Sequence, residues 1–459
     1  MHNIGATVAA VSTPPGKGGV ALIRLSGPDA FTIADAVFRP RRGCLLSQIA
    51  PRMQTYGDIF LENEPIDDGM AVRFVAPHSY TGEDTVEITC HGGIRLSHMV
   101  FTSLLAEGAQ AADAGEFTRR AFINGRLTLT EAEGIGQLLE AQTLSQIRLS
   151  RESARGRLSE AVDRIRTALI SLMSSIYARI DYPDEDLGEC TDEQIVASLD
   201  EQMAATECLL STYRTGHAIM EGVRTVIVGK PNVGKSTLYN ALVGEDAAIV
   251  TDIAGTTRDV LERTVTLGCV TLRLTDTAGL RPSDDPIERI GVERSRAKLS
   301  EAELVFAVFD CSRPLDEDDR ALLSHLATLT CPRIALLNKT DLVSVWEEDA
   351  LGVSFDHTVC LSAMKGDTEA LRTCVQTLFT DERLTSGDEA VLTTERQHAA
   401  LICTRERLQT AQRAFMHGLP TDAAASDIER AIGALSELSG REVSEQIVAD
   451  IFSKFCVGK

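Results

Sequence analysis

Residues 223–242 read VRTVIVGKPNVGKSTLYNAL. Val223 to Val228 is a β-branched run that predicts a strand, and Thr237 to Leu242 is compatible with a helix. The segment GKPNVGKS at 229–236 therefore stands between a strand and a helix, the setting a phosphate-binding loop requires. Main-chain N–H groups and the helix N-terminus supply positive potential there, Lys235 reaches the β- and γ-phosphates, and Ser236 offers its hydroxyl to Mg²⁺. A glycine-rich turn without a ligand is the rival reading, and it leaves both flanks unexplained.

Strands and helices alternate from Gly222 to about Phe379, and three more segments follow the loop in order. Leu272 to Thr275 predicts a strand delivering Asp276-Thr277-Ala278-Gly279, where the carboxylate can reach the Mg²⁺ shell and the Gly279 amide can sense a γ-phosphate. Arg333 to Leu337 predicts another, ending in Asn338-Lys339-Thr340-Asp341. The Asp341 carboxylate can accept both N1–H and N2–H₂ of guanine, a donor pair that adenine lacks. A further run ends at Ser362-Ala363, a place that by resemblance to the Ras-like GTPases implies a backbone amide reading guanine O6. Together the four segments resemble the Ras-like GTPases. One position departs from them: Leu280 follows Asp-x-x-Gly where those proteins carry a water-orienting glutamine. Glu288 is the candidate replacement, since a carboxylate can polarise water directly or through a second water.

Outside this block, residues 6–120 mix short β-like runs (Thr7 to Val11, Val20 to Leu25) with turns, which predicts a compact α+β domain. From about Leu127 to Ile180 turn residues are sparse, and Leu158, Val162, Ile165, Leu169, Leu172 and Ile176 form the stripe of a long packed helix. After the acidic break at 181–186, helical text leads to Gly222. It returns beyond 389 in Leu401, Leu408, Ala411 and Phe415, and again in Ile428, Ile432 and Leu435. Helical segments flank the α/β block, which suggests an insertion into one helical domain.

Composition narrows the function classes. The net charge of −22, from 45 basic and 67 acidic side chains, repels phosphate backbones, so a nucleic-acid role needs a basic partner. Eleven cysteines without a Cys-x-x-Cys pair favour neither a disulfide framework nor a zinc site. No run of 18 apolar residues and no export signal is read, so a soluble cytoplasmic protein without membrane attachment is expected. Cys456-Val457-Gly458-Lys459 places a cysteine four from the end, but Gly and Lys are poor final residues for prenylation.

Five stretches identify a narrower resemblance: TPPGKGGVALIRLSG at 13–27, SYTGEDTVEITCHGG at 79–93, IDYPDED at 180–186, AAIVTDIAGTTRD at 247–259 and FCVGK at 455–459. They resemble the MnmE (TrmE) family of tRNA-uridine modification GTPases along essentially the whole chain. The resemblance implies a multidomain α+β and α/β protein: a folate-binding and dimerisation domain at 1–120, a helical domain at 121–221 and 381–459, and an inserted Ras-like P-loop GTPase domain at 222–380. It implies that the protein, with a flavin-containing partner (MnmG, also called GidA), installs a carboxymethylaminomethyl-type group at C5 of the tRNA wobble uridine. The tRNA is engaged through the complex. A homodimer, assembling as a heterotetramer with the partner, is implied too.

Site residues follow by position. GTP contacts fall on Asn232-Val233-Gly234-Lys235-Ser236-Thr237, Thr251-Asp252-Ile253-Ala254-Gly255-Thr256-Thr257, Asp276-Thr277-Ala278-Gly279, Asn338-Lys339-Thr340-Asp341 and Ser362-Ala363. Mg²⁺ falls to Ser236 and Thr257, and K⁺ to Asn232, Thr251, Ile253 and Thr256. A tetrahydrofolate derivative, of 5-formyl or methylene type, falls to Arg24, Glu87, Arg126 and Lys459, with arginine at 126 where the family has lysine. Cys456 becomes a thiol held near the folate pocket, and His91-Gly92-Gly93 a tight backbone approach. Two other readings stay open: a GTPase switch or assembly factor without modification chemistry, and a folate-dependent one-carbon transferase with a regulatory GTPase.

Overall fold

The computed structural model describes residues 5–181, 191–245, 262–275, 299, 301–346, 351–381 and 389–459. They form two compact units, Met1–Leu139 with Ser153–Val196 and Arg407–Lys459, and Glu140–Glu152 with Ala197–Glu406.

The first unit carries a seven-stranded sheet: β1 (Val8–Val11), β2 (Val20–Ser26), β3 (Phe38–Pro40), β4 (Thr55–Leu61), β5 (Glu64–Phe74), β6 (Thr85–His91) and β7 (Gln110–Ala111), in the order β3-β4-β5-β6-β2-β1-β7. Only the β1/β7 pair is parallel. The period-two alternation of strands decides the faces. Ala21, Ile23 and Leu25 of β2 and Val86, Ile88 and Cys90 of β6 turn inward, against Ile33 and Val37 of helix Ala30–Val37 and Val100 and Leu104 of helix Ile94–Ala106. Arg24 and Glu87 alternate out of that core and are cross-strand partners in the β2/β6 register.

In the same unit, helix Arg157–Asp181 buries Leu158, Val162, Ile165, Leu169, Met173 and Ile176 and packs along helix Thr421–Ser439. Met173 takes the place in the stripe expected for Leu172, which is half-buried. The text from Leu127 to Ile180 holds three helices, Leu129–Glu140, Leu144–Ala154 and Arg157–Asp181. Its breaks come from caps: Thr143 Oγ1 accepts the Gln146 N–H while Gln146 Oε1 accepts the Thr143 N–H, and Gly156 adopts φ +87°.

The second unit contains β8 (Val223–Val228), β9 (Glu262–Leu267), β10 (Val270–Thr275), β11 (Leu304–Asp310), β12 (Arg333–Asn338) and β13 (His357–Cys360), in the order β13-β12-β11-β8-β10-β9. Every pair is parallel except β9/β10. A parallel sheet is buried on both faces, and β11 is apolar from Leu304 to Phe309 for that reason. Leu304, Phe306 and Val308 face one core with Ile227, Leu238 and Leu336; Val305, Ala307 and Phe309 face the other with Val226, Leu323 and Leu337. Full burial of each large side chain contributes roughly 1.5–3 kcal/mol. The parallel order brings the C-terminal ends of β8, β11, β12 and β13 to one edge, where ligands bind in such sheets.

Candidate functional site

The chain leaves β8 at Val228, turns through 229–234 and enters helix Lys235–Glu245. Asn232 and Gly234 take left-handed backbone angles, φ +64° and +103°. A Cβ on Gly234 would lie 2.2 Å from Asn338 Nδ2, so glycine is required by close approach as well as by φ. Val233 is fully buried and pins the loop, while Ser236 and Thr237 are exposed on the first helical turn. Lys235 Nζ donates to the carbonyls of Gly229 and Lys230, 2.7 Å each, and its partial burial lowers its pKa.

Asn338 ends β12 and is 3% exposed. Its Nδ2 donates to the Val233 carbonyl at 2.8 Å, and its Oδ1 accepts the Ala363 N–H at 2.9 Å. One buried amide thus ties the phosphate-type loop to the loop after β13, and both its ends are satisfied. Ser362 Oγ donates to Asp341 Oδ1 at 2.7 Å, which holds the exposed Asp341 carboxyl below its usual pKa. Lys339, at φ +70°, reaches Asp310 Oδ2 at 2.6 Å. Burial would raise the pKa of Asp310, but donation from Lys339 and Ser312 brings it down on balance. The Thr340 N–H meets the Leu361 carbonyl at 3.4 Å.

The structure therefore gathers Asn232 to Thr237, Asn338 to Asp341, Ser362 and Ala363 at one sheet edge. Thr251 to Thr257, Asp276 to Gly279, Leu280 and Glu288 lie outside the described residues. Chemically, the arrangement offers an ammonium and loop N–H groups to an anion and an ionised carboxylate to paired N–H donors.

A second group lies in the other unit. Arg24 meets Glu87 Oε1 from Nε at 2.9 Å and from a terminal nitrogen at 2.7 Å, both side chains being largely covered. The Arg24 guanidinium stands over two rings, Tyr80 at 5.6 Å and Phe117 at 5.5 Å. The chain terminus seats beside the same Phe117: its N–H donates to the Lys459 carbonyl at 3.1 Å, Ser12 Oγ donates to the Gly458 carbonyl at 2.9 Å, and Ala114 bridges Val457. Cys456 is exposed. The stem of Arg126 lies beside Gly82, in the loop that carries Tyr80.

Several participants escaped the sequence reading. Tyr80 and Phe117 complete the surroundings of Arg24, and no spacing rule joins them. Arg120, 1% exposed, pairs with Glu116 at 3.0 Å and Glu83 at 2.9 Å beneath the same loop. The acids beside His91, a residue the sequence did single out, were missed too: His91 Nδ1 lies 2.7 Å from Asp67 Oδ1, and with Asp68 these form one group whose ligand-type atoms all fall within 4.8 Å.

Comparison with known proteins shows what the chain is similar to. The family model described as the MnmE helical domain matches residues 129–456, and that described as the GTP-binding protein TrmE N-terminus matches 7–126. A Thermotoga maritima protein named tRNA modification GTPase MnmE is 39% identical over 464 residues, covering 99% of this chain and 100% of the relative. A Symbiobacterium thermophilum protein of the same name is 40% identical over 454 residues, covering 99% of each. Among solved structures, the G domain of the T. maritima FeoB iron transporter matches with 26% identity and a TM-score of 0.25, over 34% of this chain and 96% of that one.

Proposed function

The chain belongs to the MnmE family of tRNA modification GTPases, and we propose that it hydrolyses GTP at the 229–236 loop and uses that turnover in modifying the tRNA wobble uridine. The observation that carries the reading is the buried Asn338 amide, whose two hydrogen bonds support a single pocket made from the phosphate-type loop and the Ser362-Ala363 loop. In it Lys235 would exchange its carbonyl partners for phosphate oxygens, and Asp341, kept ionised by Ser362, would accept the guanine N–H pair. Ser236 and Thr257 would hold Mg²⁺, and Asn232 with Thr251, Ile253 and Thr256 would hold K⁺; the two ions supply positive charge against the phosphates. The exposed hydroxyl of Ser236 on the first helical turn fits that use. Glu288 is read as the group that orients water, and its role rests on the sequence.

We read Arg24, Glu87, Arg126 and Lys459 as contacts to a tetrahydrofolate derivative. An acid and a guanidinium beside two aromatic rings suit a flat heterocycle with both donors and acceptors, which is the fit a pterin would need. Cys456, exposed beside that group, is the candidate thiol. The division into 1–120, 121–221 with 381–459, and 222–380 belongs to the same proposal, as do the homodimer and the flavin-containing partner MnmG. A net charge of −22 favours a partner that holds most of the tRNA.

Nucleoside analysis of tRNA from a strain lacking this chain tests the whole reading. Loss of the carboxymethylaminomethyl-type group at C5 of the wobble uridine is expected, together with GTP hydrolysis by the purified chain that is about tenfold or more faster in K⁺ than in Na⁺. Unchanged wobble uridine would reject it and leave the two other readings, a GTPase switch or assembly factor and a folate-dependent one-carbon transferase with a regulatory GTPase.

A further inference from the structure

Lys230 is the second residue of the phosphate-type loop, and its side chain turns away from the loop toward helix Glu317–Leu326. Only 12% exposed, its Nζ donates to Asp316 Oδ2, lies 3.4 Å from Asp319 Oδ2 and stands 3.9 Å from Asp318 Oδ2. Those acids already serve the helix. Asp316 is the N-cap, its Oδ1 accepting the N–H groups of Asp318 and Asp319 at 3.1 and 3.2 Å, and Asp319 Oδ2 returns a bond to the Asp316 N–H at 3.2 Å. Two carboxylates this close at a helix end repel each other, and the ammonium from the loop compensates. Donation from Lys230, the largest influence, helps to bring the Asp316 pKa down to about 2.

The same residue faces the phosphate side through its main chain, because its carbonyl accepts Lys235 Nζ at 2.7 Å. Two positions further on, Asn232 holds φ +64°, a conformation that persists in a non-glycine residue where its surroundings fix it. Beyond it, Val233 is held by Asn338. The strained turn is therefore pinned on both sides, by Lys230 before it and by Val233 after it.

We propose that Lys230, clasped by Asp316 and Asp319, is a positioning residue that fixes the phosphate loop for the nucleotide. The proposal rests on the reading of 229–236 as the GTP loop. Because Asp316 is half exposed, the ion pair adds little to global stability. Its effect falls on loop geometry. GDP and GTP share the β-phosphate, so cutting the clasp weakens both and leaves turnover at saturation nearly unchanged.

The test uses the full chain: titration with fluorescent GDP and non-hydrolysable GTP analogues, steady-state hydrolysis, and thermal unfolding. The variants are Lys230→Met, Asp316→Asn, the double variant and Lys230→Arg. Asp316→Asn keeps an N-cap acceptor while removing the charge, so it separates the clasp from the cap. Expected are a Kd raised about tenfold for both nucleotides in each of the first two, kcat within about twofold of the unsubstituted chain, a double variant no weaker than the worse single, and recovery with arginine. Nucleotide affinities within about twofold of the unsubstituted chain, whatever happens to Tm, overturn the proposal, as do single losses that simply add. Failure of the underlying reading shows separately, since the unsubstituted chain would then bind neither nucleotide.

Discussion

The side-chain amide of Asn338 donates to the carbonyl of Val233 over 2.8 Å, although 105 positions separate the two residues. With the bond from the Ala363 N–H it fills both ends of that amide. Asn338→Ala strands the Val233 carbonyl and the Ala363 N–H in the interior, at about 1–3 kcal/mol for each group left unpaired. A lower Tm and a loss of GTP affinity of about tenfold or more are expected in calorimetry and nucleotide titration. Native affinity in this variant would show that the two loops hold their positions without the bridge.

Asp341 offers its carboxylate with Ser362 already donating to Oδ1. Asp341→Asn replaces one acceptor by a donor, which matches a carbonyl where guanine has an amino group. The preference should move from guanosine to xanthosine triphosphate in a competition titration. Unchanged GTP affinity with no gain for the xanthine nucleotide would reject the base-reading role.

What the sequence made legible is what lies contiguous in it. The strand Val223–Val228, the loop and the following helix share one stretch, and each local preference agrees with the next. Arg24 and Glu87 could be singled out only through family resemblance, because their pairing depends on the β2/β6 register across 63 positions. The rings of Tyr80 and Phe117 and the clasp on Lys230 stayed hidden for the same reason, since a side-chain contact between distant segments has no periodicity. The breaks inside 127–180 were legible after all: Thr128-x-x-Glu131 and Thr143-x-x-Gln146 are capping boxes, masked by the strong apolar stripe further on.

Glu303 yields a prediction about pH. Burial alone would raise its pKa, but donation from His217 at 3.3 Å and from the Arg224 N–H at 2.9 Å, with the Arg224 guanidinium 3.4 Å away, brings it down to about 2. A carboxyl held below its unfolded value contributes stability that is fully present above that value, ordinarily about 4.3, and is lost as pH falls toward the folded one. The Tm gap between the native chain and Glu303→Gln should therefore shrink as pH falls below about 4.5. A gap that grows on acidification would reverse the assignment.

The terminal segment separates chemistry from packing at neighbouring positions. Cys456 is exposed, and the structure holds its main chain: its carbonyl accepts the Gly115 N–H at 3.4 Å and the Lys459 N–H at 3.3 Å. Cys456→Ser keeps those bonds and removes the thiol alone. Gly458, by contrast, sits at φ +96°, and a Cβ there would lie 2.7 Å from Ser12 Cα and from the Val11 carbonyl oxygen, so Gly458→Ala must unseat the tail. If the thiol takes part in the modification, the serine variant loses wobble-uridine modification in an assay reconstituted with the partner, yet keeps folate binding and GTP hydrolysis. If the tail serves only as a wall of the pocket, the serine variant modifies tRNA at the native rate, while the alanine variant loses folate binding and modification together. Loss of GTP hydrolysis in either would contradict the placement of the tail in a unit separate from the nucleotide loop.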